Sequence, residues 1–477
     1  IITGLVGSEM CIRDRYFRLG EKLAKTCSEE KAVILTSPSE DVTIPDIPVT
    51  DYVLRHAERL ADKPALIDGP SGRTLTFGEL AGAIRATAAG LADRGLKKGD
   101  VFAIYSPNVP EYAVIFNGVV SAGGIVTTIN PLYTVDELGK QLNDCKARFL
   151  VTVPPFLDNA LAAAKVSEIE EVYVLGDGEG ATPFSTLIRP DLPPPQVDIN
   201  PAEDLCVLPY SSGTTGMPKG VMLTHRNLVA NLSQCDGMPG FDGFTEADTL
   251  IGVLPFFHIY GMVVIMKLAL GNGATVVSMP RFDLMEFLEI MQKHKVTVAP
   301  LVPPIVLGLA KHPAVDDFDL SSLRLVFSGA APLGEELAAE LSGRLKCPVV
   351  QGYGMTEASP VTHLTPTSGD LPAGSVGMIV PNTEVKIADL ESGAPLPIGQ
   401  EGEVCIRGPQ IMKGYLGRPD ATAESIDPEG WYHTGDIGKA DENQCFYIVD
   451  RVKELIKYKG MQVCLLYTSD AADDDRS

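Results

Sequence analysis

Positive charge is what this sequence most lacks. Its 39 lysines and arginines stand against 62 aspartates and glutamates, a formal net charge of −23 at pH 7. That balance argues against a nucleic-acid partner and against adsorption to an anionic membrane, although loops and helix N-termini hold phosphates whatever the global charge. Also missing is any run of about 18 uninterrupted apolar residues, so no membrane span is expected. The most apolar windows are broken by Asn117 and Gly123-Gly124, or by Lys267 and Gly271-Asn272-Gly273. Nothing at the start reads as a signal peptide. The nine cysteines (11, 27, 145, 206, 235, 347, 405, 445 and 464) never form a C-x-x-C pair. Neither a zinc site nor a disulfide framework is indicated, and a reducing, cytoplasmic compartment is expected. The P-loop pattern G-x-x-x-x-G-K-[ST] is absent as well.

What is present is an ordinary globular composition, 45% hydrophobic and 21% charged over 477 residues, long enough for two to four domains. Thr76-Phe77-Gly78-Glu79-Leu80 opens a helix with apolar residues at Leu80, Ile84, Ala88 and Leu91, ending near Gly95. Strands are expected at 101–105, 125–129 and 149–153, with helices at 111–120 and 135–144 between them. This alternation implies a parallel sheet with helices on its faces. A proline-rich bridge over 190–201 leads to a second series of strands near 205–210, 250–254, 274–277, 297–301 and 323–328. Beyond Gly374, period-two alternation at 383–387 and 403–406 with Gly/Pro turns predicts a small antiparallel β-barrel. The expected class is therefore α/β: two βα-type subdomains with mostly parallel sheets (33–200 and 201–374) and a small barrel (375–450).

The most informative segment is Ser211-Ser212-Gly213-Thr214-Thr215-Gly216-Met217-Pro218-Lys219-Gly220. Such a run contributes little to a core, but its glycines bring backbone N–H groups close, its hydroxyls donate, and Lys219 carries a mobile charge. Short apolar stretches bracket it, so it reads as a phosphate-binding loop between two strands. Further along, Ser328-Gly329-Ala330-Ala331-Pro332-Leu333 follows a buried strand and offers small residues against which a flat ring can lie, with a helix from Gly334 onward. Gln351-Gly352-Tyr353-Gly354-Met355-Thr356-Glu357 sets a tyrosine able to stack on a purine beside a hydroxyl and a carboxylate. A carboxylate near a triphosphate makes sense chiefly as a Mg²⁺ ligand. Asp436, in Tyr432-His433-Thr434-Gly435-Asp436, suits a ribose diol, although an Asx-turn explains it equally well. The basic cluster from Asp450-Arg451 to Lys459-Gly460 reads on its own as a solvated helix face, and His258 in Pro255-Phe256-Phe257-His258-Ile259-Tyr260-Gly261 as a structural histidine.

In order and spacing, these motifs make residues 33–463 resemble the adenylate-forming (acyl-CoA synthetase and luciferase) superfamily, most closely the 4-coumarate–CoA ligase-like acyl-CoA synthetases. The resemblance implies that Ser211, Ser212, Gly213, Thr214, Thr215, Gly216 and Lys219 grip the phosphates of ATP. It implies that Gly329, Ala330, Ala331, Gln351, Gly352, Tyr353 and Gly354 surround adenine, with Tyr353 stacked on it. Thr356 would contact the α-phosphate, Glu357 would hold Mg²⁺, and Asp436 and Arg451 would bind the ribose. An acyl pocket would comprise His258, Ile259, Tyr260, Val264, Gly352, Pro360 and Val361, and its apolar lining suits an aromatic or fatty acid. Lys453 would be the hinge of a C-terminal lid, and Lys457 would serve the second half-reaction. The implied activity is ATP-dependent acid–CoA ligation through an acyl-AMP, with CoA as co-substrate.

The family continues past Val463 into a lid of roughly a hundred residues that carries the adenylation lysine, usually beside a Ser-Gly motif. No Ser-Gly-Lys occurs in this chain. Residues 1–15 and 464–477 resemble translated sequencing-adapter read-through, and 451–463 reads as the hinge and start of a truncated domain. Slow adenylation with retained nucleotide binding is the resulting expectation. Two other readings stay open: a luciferase-like oxidoreductase and a non-catalytic nucleotide-binding protein.

Overall fold

The computed structural model describes residues 33–211, 218–241, 243–367, 372 and 374–451 in full, and the backbone alone of 455–458 and 461–464. Three sheets organise it. An eight-stranded sheet runs in the order Gly414–Tyr415, Lys219–Thr224, Leu205–Ser211, Ile125–Ile129, Val101–Tyr105, Ala147–Thr152, Glu171–Val174, Thr182–Pro183. Six of these strands, from Leu205–Ser211 to Thr182–Pro183, are parallel, and the two at the other end are antiparallel. A nine-stranded sheet has the order Met378–Ile379, Val361–Leu364, Val349–Gly354, Leu325–Ser328, Val298–Leu301, Thr249–Gly252, Thr275–Ser278, Pro64–Asp68, Thr74–Thr76. Its central six strands are parallel. The expected α/β class, with mostly parallel sheets, is what forms.

Local chemistry explains the helices. Phe77–Asp93 starts at Thr76, whose hydroxyl accepts from the Glu79 N–H while the Glu79 carboxylate accepts from the Thr76 N–H. Such a reciprocal box satisfies two otherwise orphaned donors. The same device opens Val135–Asp144 with Thr134 and Glu137, and His225–Asp236 with Thr224 and Asn227. The stripe Leu80, Ile84, Ala88 and Leu91 is buried as the periodicity requires. It faces Glu111–Ser121 so closely that Gly118 has no room for a side chain: an added Cβ would lie 2.6 Å from Thr87.

Two expectations are corrected. The chain does not change sheets at the proline-rich bridge: Leu205–Ser211 and Lys219–Thr224 return to the first sheet, while Pro64–Asp68 and Thr74–Thr76 cross early into the second. Burial decides this, because the parallel strand Ile125–Ile129 needs a neighbour on its other edge and Leu205–Ser211 supplies it. Nor is there a closed barrel. Ile34–Thr36, Glu384–Ala388, Gly402–Arg407, Tyr432–Ala440 and Phe446–Arg451 form an open five-stranded antiparallel sheet in that order, and its two outer strands are not paired to each other. The basic cluster begins in a strand, Phe446–Arg451, rather than on a helix face. Beyond it, Leu455–Tyr458 and Met461–Cys464 pair as a two-stranded antiparallel ladder. The adapter-like ends lie outside the described residues, apart from the backbone of Cys464.

Among the described residues no helix is long and apolar enough to cross a membrane. Tyr260–Leu268 is a wide-turn π-helix, a form that elsewhere occurs mostly as single-turn bulges, often at functional sites. It buries Lys267 completely, with Nζ 3.4 Å from the centroid of the Phe116 ring and no hydrogen-bond acceptor. Desolvation lowers its pKa from 10.5 to about 7. Between those values the unfolded chain binds a proton that the folded chain does not, so stability rises with pH across that window. Lys267→Met is expected to stabilise the fold at pH 7 by about 1–3 kcal/mol, because it removes an unsatisfied buried amine. Thermal unfolding from pH 7 to pH 10 checks this, with a flatter pH dependence expected in the variant.

Candidate active site

Ser211 and Lys219 are register partners at the ends of adjacent antiparallel strands. The intervening loop, and with it the expected contacts of Ser212, Gly213, Thr214, Thr215 and Gly216, lies outside the described residues. Its two anchors are informative. The Ser211 hydroxyl donates to Glu357 Oε1 at 2.9 Å, and the Tyr415 hydroxyl donates to the same oxygen at 2.9 Å. Lys219 Nζ sits 4.7 Å from the Tyr415 ring centroid, a cation–π distance. Glu357 itself is only 8% exposed and belongs to the turn Thr356–Ala358, so Thr356 stands directly beside it. Among the described residues Glu357 has no ion-pair partner, and both hydroxyl donors bind its Oε1. A buried carboxylate without a cation is costly, and a divalent ion relieves that cost.

A second group meets at Tyr353. Its hydroxyl donates to Asp436 Oδ2 at 2.6 Å, and Asp436 Oδ1 lies 3.4 Å from Arg451 Nε. Asp436 and Arg451 are register partners on neighbouring strands of the five-stranded sheet. Burial raises the pKa of Asp436, opposed by the Tyr353 hydrogen bond and the Arg451 charge. The local turn is made by Thr434, whose hydroxyl accepts from the Asp436 N–H at 3.0 Å and donates to the Val404 carbonyl at 2.7 Å, rather than by the Asp436 carboxylate as in an Asx-turn. On the other side Gln351 clamps the preceding loop: its Oε1 accepts from the Leu333 N–H at 3.0 Å and its Nε2 donates to the Leu333 carbonyl at 3.3 Å. Ala330 in that loop has φ +70°, a left-handed conformation uncommon for a residue with a side chain. Gly354 is obligatory, since an added Cβ would lie 2.4 Å from the Pro360 carbonyl oxygen.

The expected acyl-pocket residues also converge. The Tyr260 hydroxyl donates to the Phe327 carbonyl at 3.0 Å, and the two rings meet edge to face at 6.0 Å. A Cβ on Gly329 would lie 3.1 Å from the Tyr260 ring, and one on Gly352 would lie 2.7 Å from the Phe327 ring. Ile259, Val264, Pro360 and Val361 are buried. His258 Nδ1 accepts from the Tyr260 N–H at 3.3 Å. Its imidazole is open to solvent yet surrounded by enough protein to lower its pKa by desolvation, which describes a side chain at a concave mouth. Lys453 lies outside the described residues, and Lys457 is placed on the strand Leu455–Tyr458 by its backbone alone.

Sequence reasoning missed three residues. Tyr415 comes from a two-residue strand paired with Lys219–Thr224, a contact with no local sequence signal. His363 lies under Tyr353, ring centroids 5.7 Å apart, on the strand after the Tyr353 strand. Asn231, fully buried, holds Val361 by both backbone groups, with Nδ2 to the carbonyl at 2.7 Å and Oδ1 from the N–H at 3.0 Å. A polar residue on the apolar face of His225–Asp236 was the available clue.

With this geometry in place, comparison with known proteins is direct. The AMP-binding enzyme family matches residues 53–416. The chain belongs to that family. It is 45% identical over 441 residues to 4-coumarate–CoA ligase 5 of Oryza sativa subsp. japonica, covering 90% of this chain and 81% of the relative. Among solved structures it is similar to the anthranilate–CoA ligase AuaEII in complex with anthranoyl-AMP, with TM-score 0.82, 25% identity, and coverage of 91% of this chain and 83% of the other. ATP-bound MatB from Rhodopseudomonas palustris aligns with TM-score 0.78 and 29% identity, over 90% of this chain and 83% of the other.

Asn231→Ala leaves the Val361 N–H and carbonyl buried without these partners, at about 1–3 kcal/mol each. Thermal unfolding is expected to shift down by several degrees, with weaker retention of the acid substrate than of ATP in binding assays, because Val361 faces the proposed acyl side.

Proposed function

We propose that this chain is an AMP-forming acid–CoA ligase that activates an aromatic or fatty carboxylic acid with ATP. The observation that carries this reading is the junction at Glu357, where a buried carboxylate, a lysine at the end of the phosphate-loop strand and a tyrosine meet within one constellation. Adenylation joins two anions, so the site needs positive charge and oriented donors more than it needs a proton-transfer group. Lys219 supplies the mobile charge beside the loop. Glu357 is suited to Mg²⁺, which when bound neutralises charge between the triphosphate and the acid.

The nucleoside end follows the second group. Tyr353 offers its ring to adenine, with Gly329, Ala330, Ala331 and Gly352 shaping the wall, and Asp436 with Arg451 takes the ribose hydroxyls. The acid enters past His258 against Ile259, Tyr260, Val264, Pro360 and Val361, an apolar lining that disfavours an ammonium-bearing substrate. Its carboxylate oxygen attacks the α-phosphorus of ATP beside Thr356, forming acyl-AMP as pyrophosphate departs. The CoA thiol then attacks the acyl carbon and AMP leaves. Lys457 and Lys453 are assigned, on resemblance, to the thioester step and the hinge. The six described cysteines are all unpaired and buried, which supports a reducing, cytoplasmic setting.

Calorimetric titration with ATP and ATP–pyrophosphate exchange over a panel of cinnamic and fatty acids test the proposal. Lys219→Ala and Glu357→Gln are each expected to weaken ATP binding about tenfold or more, the scale of a lost charged contact. Unchanged affinity in both would leave only a non-catalytic nucleotide-binding role. Asp436→Ala is expected to weaken ATP binding while leaving that of 2′,3′-dideoxy-ATP unaltered; an equal loss for both ligands overturns the ribose assignment. Oxygen consumption in place of a thioester product would move the chain to the luciferase-like reading.

A further inference from the structure

Behind the ribose residues, on the adjacent strands Gly402–Arg407 and Tyr432–Ala440, stands a set of side chains that the adenylation chemistry does not use. Cys405 and His433 are register partners, and Glu403 precedes Cys405 by two residues on the same face. His433 Nδ1 lies 2.8 Å from Glu403 Oε2 and 3.5 Å from Cys405 Sγ, and Sγ lies 3.9 Å from Glu403 Oε2. Three different donor types therefore form a small triangle. Zinc bond lengths of about 2.0 Å to oxygen, 2.05 Å to nitrogen and 2.3 Å to sulfur at tetrahedral angles require donor separations of about 3.3 Å for N–O and about 3.5 Å for N–S and S–O. Each observed edge is within about half an ångström of these values.

The surroundings fit the same reading. His433 Nε2 points at Asp427, 3.6 Å from Oδ2, the position that a carboxylate behind a metal-bound imidazole occupies. Burial pushes the Cys405 thiol up to about 12 and the Glu403 and Asp427 charges add to the rise, opposed by Lys386, its register partner on the other side, so without an ion the thiol keeps its proton; the Lys386 charge is itself balanced by Asp427 at 3.9 Å. Cys405 is fully buried while the His433 side chain is 29% exposed, so the soft ligand sits at the floor and an entry path runs past the imidazole. We propose that Glu403 Oε2, Cys405 Sγ and His433 Nδ1 form a site for a soft divalent transition metal ion, typified by Zn²⁺, with a fourth position open to water. Binding displaces the Cys405 thiol proton and places the imidazole proton on Nε2, facing Asp427. The thiolate selects against Mg²⁺, which separates this site from the one at Glu357. Because Glu403 Oε1 also accepts from the Gly435 N–H at 3.0 Å, an ion here braces the segment that carries Asp436.

The test uses the purified full chain, stripped with a chelator and titrated with Zn²⁺ and, separately, Co²⁺. One saturable equivalent is expected, with a thiolate-to-cobalt charge-transfer band, a rise in Tm on Zn²⁺ addition, and no competition from excess Mg²⁺. Cys405→Ser and His433→Gln are expected to weaken binding at least tenfold and to abolish the Tm rise, and Cys405→Ser to remove the band. Cys347→Ser, in the bend between the helix Glu335–Leu345 and the strand Val349–Gly354, is expected to leave all three unchanged. Tm measured in chelator shows whether each variant is folded, and the near-isosteric Cys405→Ser keeps the test decisive if His433→Gln unfolds. Absence of saturable binding, or binding unchanged in a folded Cys405→Ser variant, overturns the proposal and leaves a hydrogen-bonded brace for Gly435.

Discussion

A single buried carboxylate oxygen ties the sheets together. Glu357 stands just beyond the end of a strand in the nine-stranded sheet, and its Oε1 accepts hydroxyls from Ser211 and Tyr415, both in the eight-stranded sheet. Its backbone carbonyl accepts from the Met412 N–H at 2.8 Å, fixing the segment that delivers Tyr415. One acidic group thus sets where Leu205–Ser211 and Lys219–Thr224 meet the strand Val349–Gly354. A buried carboxylate is costly without a cation, and an ion of the kind proposed for Glu357 would add to the stability of this junction in proportion to its occupancy.

A parallel constraint holds the third sheet. Tyr353, on the strand that leads into the Glu357 turn, reaches Asp436 with a short hydrogen bond, and Asp436 is paired to Arg451 across the ladder. Tyr353 is itself supported from beneath by His363, whose ring packs 4.4 Å from Phe446. The purine, ribose and phosphate contacts proposed above are thereby distributed over three independently hydrogen-bonded layers. Their meeting line forms the site, in keeping with the tendency of open α/β sheets to bind ligands beyond the carboxyl ends of their strands.

Much of this was legible in the sequence because it is written locally. Capping boxes at Thr76, Thr134 and Thr224, and apolar runs such as Val101–Tyr105 and Leu325–Ser328, declare their elements within a few residues. The site motifs were legible for a similar reason: glycines at 352 and 354 are demanded by contacts that leave no room for a Cβ. What local pattern does not encode is which sheet receives a strand. Leu205–Ser211 looks like the opening of a new unit after the proline-rich bridge, yet pairing with Ile125–Ile129 places it in the first sheet. Period-two alternation after Gly374 shows strands with one buried face, and it cannot distinguish an open sheet from a barrel, since closure depends on the pairing of two distant edges. Tyr415 and Asn231 act through partners 58 and 130 residues away, beyond the reach of any short motif.

The same limit governs the reading of the cysteines. A C-x-x-C rule detects ligands that a single turn brings together, and its absence excludes only that kind of site. In an antiparallel ladder two residues far apart in sequence become direct neighbours, and a third joins them at the next same-face position, so a donor set assembles with no sequence spacing to reveal it. Cys405 and His433 are 28 residues apart and face each other across one ladder rung, with Glu403 at the adjacent same-face position. That the strand bearing His433 also bears Asp436 makes the ladder a mechanical link: any ion that draws Glu403 and His433 together acts on the Gly435 N–H that Glu403 already holds. The ladder shifts register between Glu403 and Cys405, whose partners are Ile437 and His433, so 434–436 bulge there and the Glu403 carboxylate bridges the bulge from His433 to the Gly435 N–H, directly behind the carboxylate proposed for the ribose.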